Sequence, residues 1–422
     1  MRGGRADRHR ILRVRKENQD KGERSRALAS ARRIVVKVGT RLLTDIPGTE
    51  KRDRVTALVS ELARLRDCGY EVLLVTSGAI GAGMVVLGTD RRPTSLPRLQ
   101  AHAAVGQSRL MYLYESACTS HGFHCAQILL TSEDLFDRER HLNVVCCLEA
   151  LLSEGVLPVV NENDSVSVEE IKFGDNDILA AYTAAMLRAE LTVLLTTVEG
   201  FRERRGGELG DRLSVVPRIT RRLSGMAAGT DGNRFSVGGM ATKLRAAEVV
   251  TKAGEYLWIA DGRDFGILRC IGRGEDVGTL FLPSSRQRMA SRKRFLAFFS
   301  ADRGAITVDE GARRALCEGG RSLLPSGIMG VEGRFARGET IRILSASGEE
   351  IARGVSNYSS EDVRQLQGKQ TSEIAGILGH EGYDEVVHRD YLVLTGSASR
   401  VAASSDREAS SGDGGDCGHR GA

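Results

Sequence analysis

The sequence predicts an α/β fold, a mostly parallel sheet sandwiched between two layers of helices, followed by a small β-rich domain. Short β-branched runs alternate with segments of helical period from Arg33 to Leu195. After Leu282 the texture changes to short strands and Gly turns. The composition, 41% hydrophobic and 27% charged, supplies a sizeable core and a polar surface, which excludes collagenous, wholly disordered and membrane-spanning classes. A length of 422 residues suits two or three domains of about 150 residues each. With 49 Gly against 7 Pro and 5% aromatics, the chain favours tight turns and close backbone approach to phosphate over an aromatic nucleic-acid platform.

Residues 1–30 hold ten Lys/Arg against four Asp/Glu, so the +5 of the chain resides there. The remainder, 50 against 51, has no bias toward nucleic acid or anionic membrane. The segment lacks the apolar stretch of a secretory signal and reads as a basic, disordered, solvated extension. Its Arg content resembles a transit peptide, against which Asp7, Glu17, Asp20 and Glu23 count. Cysteines 68, 118, 125, 146, 147, 270, 317 and 417 show no CxxC pair or framework spacing, so a reducing, cytoplasmic compartment is expected.

The first domain, expected over 31–282, opens with the run Ile34-Val35-Val36-Lys37-Val38, a buried strand closed by Gly39-Thr40. Val55, Leu58, Val59, Leu62 and Leu65 then recur at helical spacing, Gly69 stops the helix, and Glu71 to Val75 forms the next strand. The rhythm continues with a helix from Leu96 to Ser120, a strand near Ala126 to Leu130, a helix from Asn143 to Glu154 and a strand at Val156 to Val160. A helix from Asn176 to Leu187 and a strand from Leu191 to Leu195 follow. In such sheets ligands bind beyond the C-terminal strand ends. Residues 283–300 read as a linker, 301–394 as the β-rich domain, and the Ser/Gly-rich 395–422 as a disordered tail.

Four post-strand loops carry unusual residues. Lys37-Val38-Gly39-Thr40 puts a cation at a strand end beside a glycine that lets backbone approach a ligand; a lysine snorkelling at the sheet rim is the alternative. Thr76-Ser77-Gly78-Ala79-Ile80-Gly81-Ala82-Gly83 offers backbone N–H groups and a hydroxyl to an anion, or is a tight turn packed for steric reasons. It lacks the GxGxxG order, and no GxxxxGK[ST] occurs. Between Asn161 and Asp177, with Asn163, Asp164, Asp175 and Asn176, stand six carboxylates and three Asn, costly after a buried strand unless cations or a metal answer them; a surface loop of Asx turns is the plainer account. Last, Val237-Gly238-Gly239-Met240-Ala241-Thr242-Lys243 is a double-Gly turn opening a helix, again fit for an anion or a packed turn with a solvated lysine. Two lysines, two Gly-rich helix starts and an acidic loop form a coherent set for phosphoryl transfer, which asks mainly for positioning and charge neutralisation. A carboxylate nucleophile with a pKa of about 4.3 is already ionised, so no general base is required.

The strings VVKVGT, LLVTSGAIGAG, AAVGQSRL, DRERHLN, VNENDSV, IKFGDNDILAA and GGMATKLRAA resemble, in order and spacing across 33–282, those of the glutamate 5-kinases of the amino-acid kinase family. GAITVDEGARRAL, LLPSGI, GRFARGETIRI and ARGVSNYSSEDV resemble the PUA domain that many of these enzymes carry. The resemblance implies an eight-stranded sandwiched sheet and Mg²⁺-dependent transfer from ATP to the γ-carboxylate of L-glutamate, the first step of proline synthesis, with proline as inhibitor. It implies Lys37 and Lys243 around the phosphoryl group, oriented by Asp177. Ser77, Asp164 and Asn176 would hold glutamate, with Asn161 and Asp175 close by and the Ser77-Gly78 turn facing the reacting carboxylate. Thr196-Thr197 and the turn Gly238, Gly239, Met240, Ala241, Thr242 and Lys243, with Lys37 and Gly39, would face the nucleotide. It also implies a dimer or tetramer and a functional link to glutamyl phosphate reductase; no protein metal site and no membrane are expected. Thr196-Thr197 stands where the family has Thr-Asp, and Phe201-Arg202-Glu203-Arg204-Arg205 where it has Tyr-x-x-Asp-Pro, so altered nucleotide affinity or preference is expected.

Acetylglutamate kinase, aspartokinase and carbamate kinase share the expected fold, and VNENDSV with GDND and the appended domain argue against them. An RNA-binding role of the β-rich domain needs a basic surface, and 303–394 has no Lys/Arg excess. A metal site on His121, His124 and Cys125 lacks a second cluster at ligand spacing.

Overall fold

The structure, a computed structural model, describes residues 3–44, 51–167, 176–205, 208–220, 222–223, 225, 239–285, 288–299, 302–380 and 382–395. The chain divides into two compact units at Arg288 and Met289.

In the first unit, β1 (Arg33–Val38), β2 (Glu71–Val75), β3 (Cys125–Leu130), β4 (Leu157–Glu162), β5 (Leu191–Thr196), β8 (Val215–Val216), β9 (Tyr256–Asp261) and β10 (Thr279–Phe281) form one sheet in the order β3-β4-β2-β1-β5-β9-β10-β8. All neighbours are parallel except β9 and β10. Strands β6 (Arg202–Arg205) and β7 (Glu208–Arg212) pair as a separate hairpin. Every residue of β1 after Arg33 is buried, as a central parallel strand covered on both faces requires. Lys37 stands beside Val75 of β2 and Leu194 of β5, so the loops after these strands emerge together where the strand order reverses.

One face carries α3 (Lys51–Asp67) and α5 (Leu96–Thr119), whose apolar stripes Val55, Leu58, Val59, Leu62 and Leu110, Leu113, Tyr114, Ala117 meet Ile34, Val36, Leu74 and Val193. The alternate strand residues Val35, Leu73, Val75 and Leu194 are buried as well. On that side α8 (Asn176–Leu187) lies against β1, β5, β4 and β2 and is itself covered by α9 (Met240–Lys252), which explains why all its residues but Tyr182 are buried. Each fully buried Leu or Val contributes about 1.5–3 kcal/mol. Helix α4 (Ala79–Val86) crosses α5 at glycines. A Cβ at Gly106 would stand 1.8 Å from Ala79 O, and one at Gly83 would stand 1.9 Å from His102 O, so only glycine permits this approach.

The second unit has a five-stranded sheet, β12-β11-β13-β14-β15 (Ile328–Gly333, Gly304–Val308, Thr340–Leu344, Glu350–Val355, Leu392–Leu394), with β11 and β13 parallel and the other pairs antiparallel. Helix α12 (Glu310–Cys317) is capped by Asp309, whose carboxylate accepts from Ala312 N at 2.7 Å. Its core gathers Ile306, Val308, Leu316, Ile341, Ile343 and Val363.

Two expectations need correction. Within 1–30, the described residues are not a disordered extension: α1 (Gly3–Ser30) is helical, with Ala27 and Arg24 buried. Its basic composition hid the few side chains that dock. Residues 283–300 are not wholly a linker, because α11 (Ser291–Phe298) belongs to the second unit, with Leu296 and Phe299 buried. Arg292-Lys293-Arg294 obscured the apolar positions that follow. Strand β4 also runs two residues beyond Val160, so Asn161 is its penultimate residue. The tail from 396 onward lies outside the described residues.

Candidate active site

Lys37, at the end of β1, is 5% exposed, and a buried ammonium is costly without a partner. Its Nζ stands 2.6 Å from Asp177 Oδ1, while Lys243 Nζ donates to Asp177 Oδ2 at 2.9 Å. Asp177 sits in the first turn of α8 and Lys243 in the first turns of α9, so one carboxylate bridges two lysines from different elements. Burial alone would push the Asp177 carboxyl up, but the two ammonium groups outweigh it and hold it well below the usual carboxylate range. A Cβ at Gly39 would stand 3.7 Å from Lys37 Nζ, an ordinary van der Waals contact, so the space beside the ammonium does not itself demand glycine. Helix α9 begins at Gly239 with no side-chain cap, which leaves the helix dipole and first-turn N–H groups for an anion. Thr242 Oγ1 donates to Gly239 O at 2.8 Å.

Beside Asp177, Asn176 Nδ2 donates to Thr76 O at 2.5 Å, Ser77 Oγ at 2.7 Å and Asn161 Oδ1 at 2.9 Å. One amide thus ties α8 to the ends of β2 and β4. Asn161 Nδ2 in turn donates to Gln107 Oε1 at 3.0 Å. Thr76 Oγ1 and the Tyr114 hydroxyl lie 2.7 Å apart, and burial pushes that hydroxyl's pKa far up, keeping it neutral. Gly78 adopts φ 103°, a left-handed value that glycine allows, and leads directly into α4. Next to this network lies a cavity of about 240 Å³ lined by Ala79, Gln107, Gln127, Glu162, Asn163 and Asp164, among others. That is small and polar, the size for a metabolite rather than a drug-sized ligand.

Thr196, at the end of β5, accepts from Gly262 N at 2.8 Å, and Thr197 is exposed. The sequence-predicted residues Lys37, Ser77, Gly78, Asn161, Asp164, Asn176, Asp177, Thr196 and Lys243 all stand at or just beyond C-terminal strand ends or in the first turns of α8 and α9. Asp175 and Gly238 lie outside the described residues. Gln107 and Tyr114 were not anticipated. Their signal is a polar Gln and a Tyr hydroxyl on the inward face of α5, aligned with Ala103, Leu110 and Ala117. The His121, His124 and Cys125 group has other partners: His121 Nε2 lies 3.0 Å from Ser60 Oγ, and Glu115 binds His124 Nδ1 at 2.7 Å and Cys125 N at 3.0 Å. A second, more open hollow of about 500 Å³ is bordered by Asp261, Arg263, Asp264, Arg269 and Arg273 and touches neither lysine.

Residues 32–261 match the amino acid kinase family, and residues 304–378 match the PUA domain. A glutamate 5-kinase of Moorella thermoacetica is 45% identical over 372 residues, which is 88% of this chain and 98% of that protein. One of Trichlorobacter lovleyi is 46% identical over 369 residues, 87% of this chain and 98% of its own. This chain belongs to the amino acid kinase family. Among solved structures, a carbamate kinase from Giardia lamblia bound to AMP-PNP aligns with 61% of this chain and 100% of its own, at a TM-score of 0.42 and 18% identity. Among the described residues no helix of this family member is long and apolar enough to cross a membrane.

The Asp177 bridge makes a stability prediction for this kinase-family unit. Its folded pKa lies below the unfolded value of about 3.9, so the stabilisation is fully present above that pH and is lost as pH falls through the folded value. Asp177→Asn leaves two buried ammonium groups without their carboxylate, and urea unfolding at pH 7 is expected to show a loss of about 3 kcal/mol. The gap between wild type and variant should narrow below about pH 3. A gap independent of pH would remove the bridge from the account.

Proposed function

We propose that the protein is a glutamate 5-kinase that transfers the γ-phosphoryl group of ATP to the γ-carboxylate of L-glutamate, yielding L-glutamyl 5-phosphate and ADP. The observation that carries this reading is the Lys37–Asp177–Lys243 bridge directly beside the Ser77, Asn161 and Asn176 cluster. A carboxylate oxygen attacks the γ-phosphorus, the bond to the bridging oxygen of ADP breaks, and no proton has to move. The obstacle is anion meeting anion: a pair of charges about 4 Å apart costs on the order of 4 kcal/mol at an effective dielectric of about 20. Lys37 and Lys243 offset that repulsion, and Asp177 holds both ammonium groups in place before the reactants arrive.

Ser77, the Gly78 turn, Asn161, Asp164, Asp175 and Asn176 hold glutamate, and the uncapped α9 N-terminus from Gly239 to Lys243, with Gly39, Thr196 and Thr197, faces the nucleotide. Both Asp177 oxygens lie on ammonium groups, so the residues present fit Mg²⁺ as an ion carried on the nucleotide phosphates. When bound it neutralises phosphate charge. The same reading makes the protein a cytoplasmic, oligomeric enzyme of proline synthesis whose product passes to glutamyl phosphate reductase. Release of ADP from ATP and Mg²⁺, measured with L-glutamate, N-acetylglutamate, L-aspartate or no acceptor, is expected to require L-glutamate and to fall when proline is added. Turnover with another acceptor, or none with L-glutamate, would overturn the assignment; turnover indifferent to proline would remove only the inhibition.

A further inference from the structure

Helix α1 precedes the residues matched to the family, yet its Arg24 is 5% exposed, and a guanidinium so buried requires acceptors. Its Nε donates to Gly274 O at 3.1 Å, and one terminal nitrogen donates to Ser214 Oγ at 2.6 Å and Asp276 Oδ1 at 3.3 Å. Asp276 Oδ1 also accepts from Ser214 Oγ at 2.7 Å and stands 3.0 Å from Arg212 of β7. Arg212 reaches further to Gly278 O and to Asp276 O. The turn 274–279 is therefore gripped from α1 on one side and from β7 on the other.

Its inner side has no slack. The single tryptophan, Trp258, donates to Val277 O at 2.7 Å, and a Cβ at Gly278 would stand 2.2 Å from Ile259 O. Thr279, which ends the turn, donates through Oγ1 to Leu213 O at 2.6 Å and accepts from Phe201 N at 2.8 Å. Gly200, at φ 143°, is packed so closely that a Cβ there would stand 2.6 Å from that Oγ1. Phe201 closes the loop that starts at Thr197, the loop that differs from the family pattern.

We propose that Arg24 is a positioning residue for the nucleotide side: through the 274–279 turn it sets the conformation of the loop 197–201, so that affinity for ATP depends on a helix outside the kinase-family residues. This rests on the assignment of Thr196 and Thr197 to the nucleotide. Steady-state kinetics should therefore be joined to calorimetric binding of Mg²⁺-AMP-PNP, for wild type, Arg24→Met and the milder Ser214→Ala. Removing hydrogen bonds to a charged group is expected to raise KM for ATP and Kd for AMP-PNP about tenfold in Arg24→Met. Ser214→Ala, whose small change keeps the test open if Arg24→Met fails to fold, should shift both in the same direction by about threefold. KM for L-glutamate should stay within about twofold, and Trp258 emission should shift to the red in Arg24→Met as the turn loosens. Equal rises in both KM values, or unchanged nucleotide affinity in a folded variant, would overturn the inference by reducing Arg24 to a purely structural role. If wild type binds AMP-PNP but does not turn over L-glutamate, the proposed function falls while the binding comparison still decides this one. Wild type that binds no AMP-PNP overturns both.

Discussion

Lys243→Ala is expected to lower kcat by about 10²–10³-fold while leaving KM for L-glutamate within about twofold. The ammonium contacts Asp177 Oδ2 and not the Ser77, Asn161 and Asn176 cluster, whose hydrogen bonds survive its removal. Lys37 retains its own contact with Asp177 Oδ1 at 2.6 Å, so the variant keeps a neutralised carboxylate at the centre of the site. On the proposed mechanism it loses a cation whose attraction grows as negative charge spreads over the transferring phosphoryl group, and such an interaction appears in kcat. Lys243→Arg, which keeps the charge but not its point geometry, should recover only part of the loss. Initial rates over a grid of ATP and L-glutamate concentrations settle the question: if KM for L-glutamate rises in proportion to the fall in kcat, Lys243 holds substrate and not the transition state.

The second large effect is expected from a substitution that removes no charge. Gly106→Ala should destabilise the protein by about 3 kcal/mol and raise KM for L-glutamate sharply, since overpacking of this kind forces the backbone to move. The added Cβ would lie 1.8 Å from Ala79 O and 2.3 Å from Gly83 N, both main-chain atoms that no rotamer change can clear. Ala79 is the first residue of α4 and follows Gly78, so moving it displaces the Ser77-Gly78 turn that Asn176 holds. Gly272→Ala is the matched control, with nothing within 4 Å of the new Cβ. Urea unfolding and glutamate kinetics on both variants check the claim; a Gly106→Ala protein as stable and as active as wild type would mean that the helices α4 and α5 separate at no cost.

Much of the site was legible because its residues follow buried strands, and a short apolar run ended by Gly, Ser or Asn is a local signal. Lys37 after β1, Ser77 after β2 and Asn161 at the end of β4 are such cases. From residue types alone the acidic loop was legible as a cluster, and only the family resemblance assigned its members separate roles. Six carboxylates stand there, and residue types alone cannot say that Asp177 meets two lysines from other elements. Gln107 escaped notice for the opposite reason, since one polar residue in a long amphipathic helix is ordinary until Asn161 is found against it.

By itself the sequence determined the alternation of strands and helices from Arg33 to Leu195, the helix layers expected on both sheet faces and the loops that carry unusual residues, because apolar runs and a 3.6-residue period are written into neighbouring positions. Tertiary structure alone decided which of those loops meet and what holds them. Arg24 and Asp276 are 252 residues apart, and Asn176 and Thr76 are 100 apart. An arginine in a basic stretch reads as solvated until folding brings acceptors around it, and the cost of burying its charge is what makes their arrival decisive.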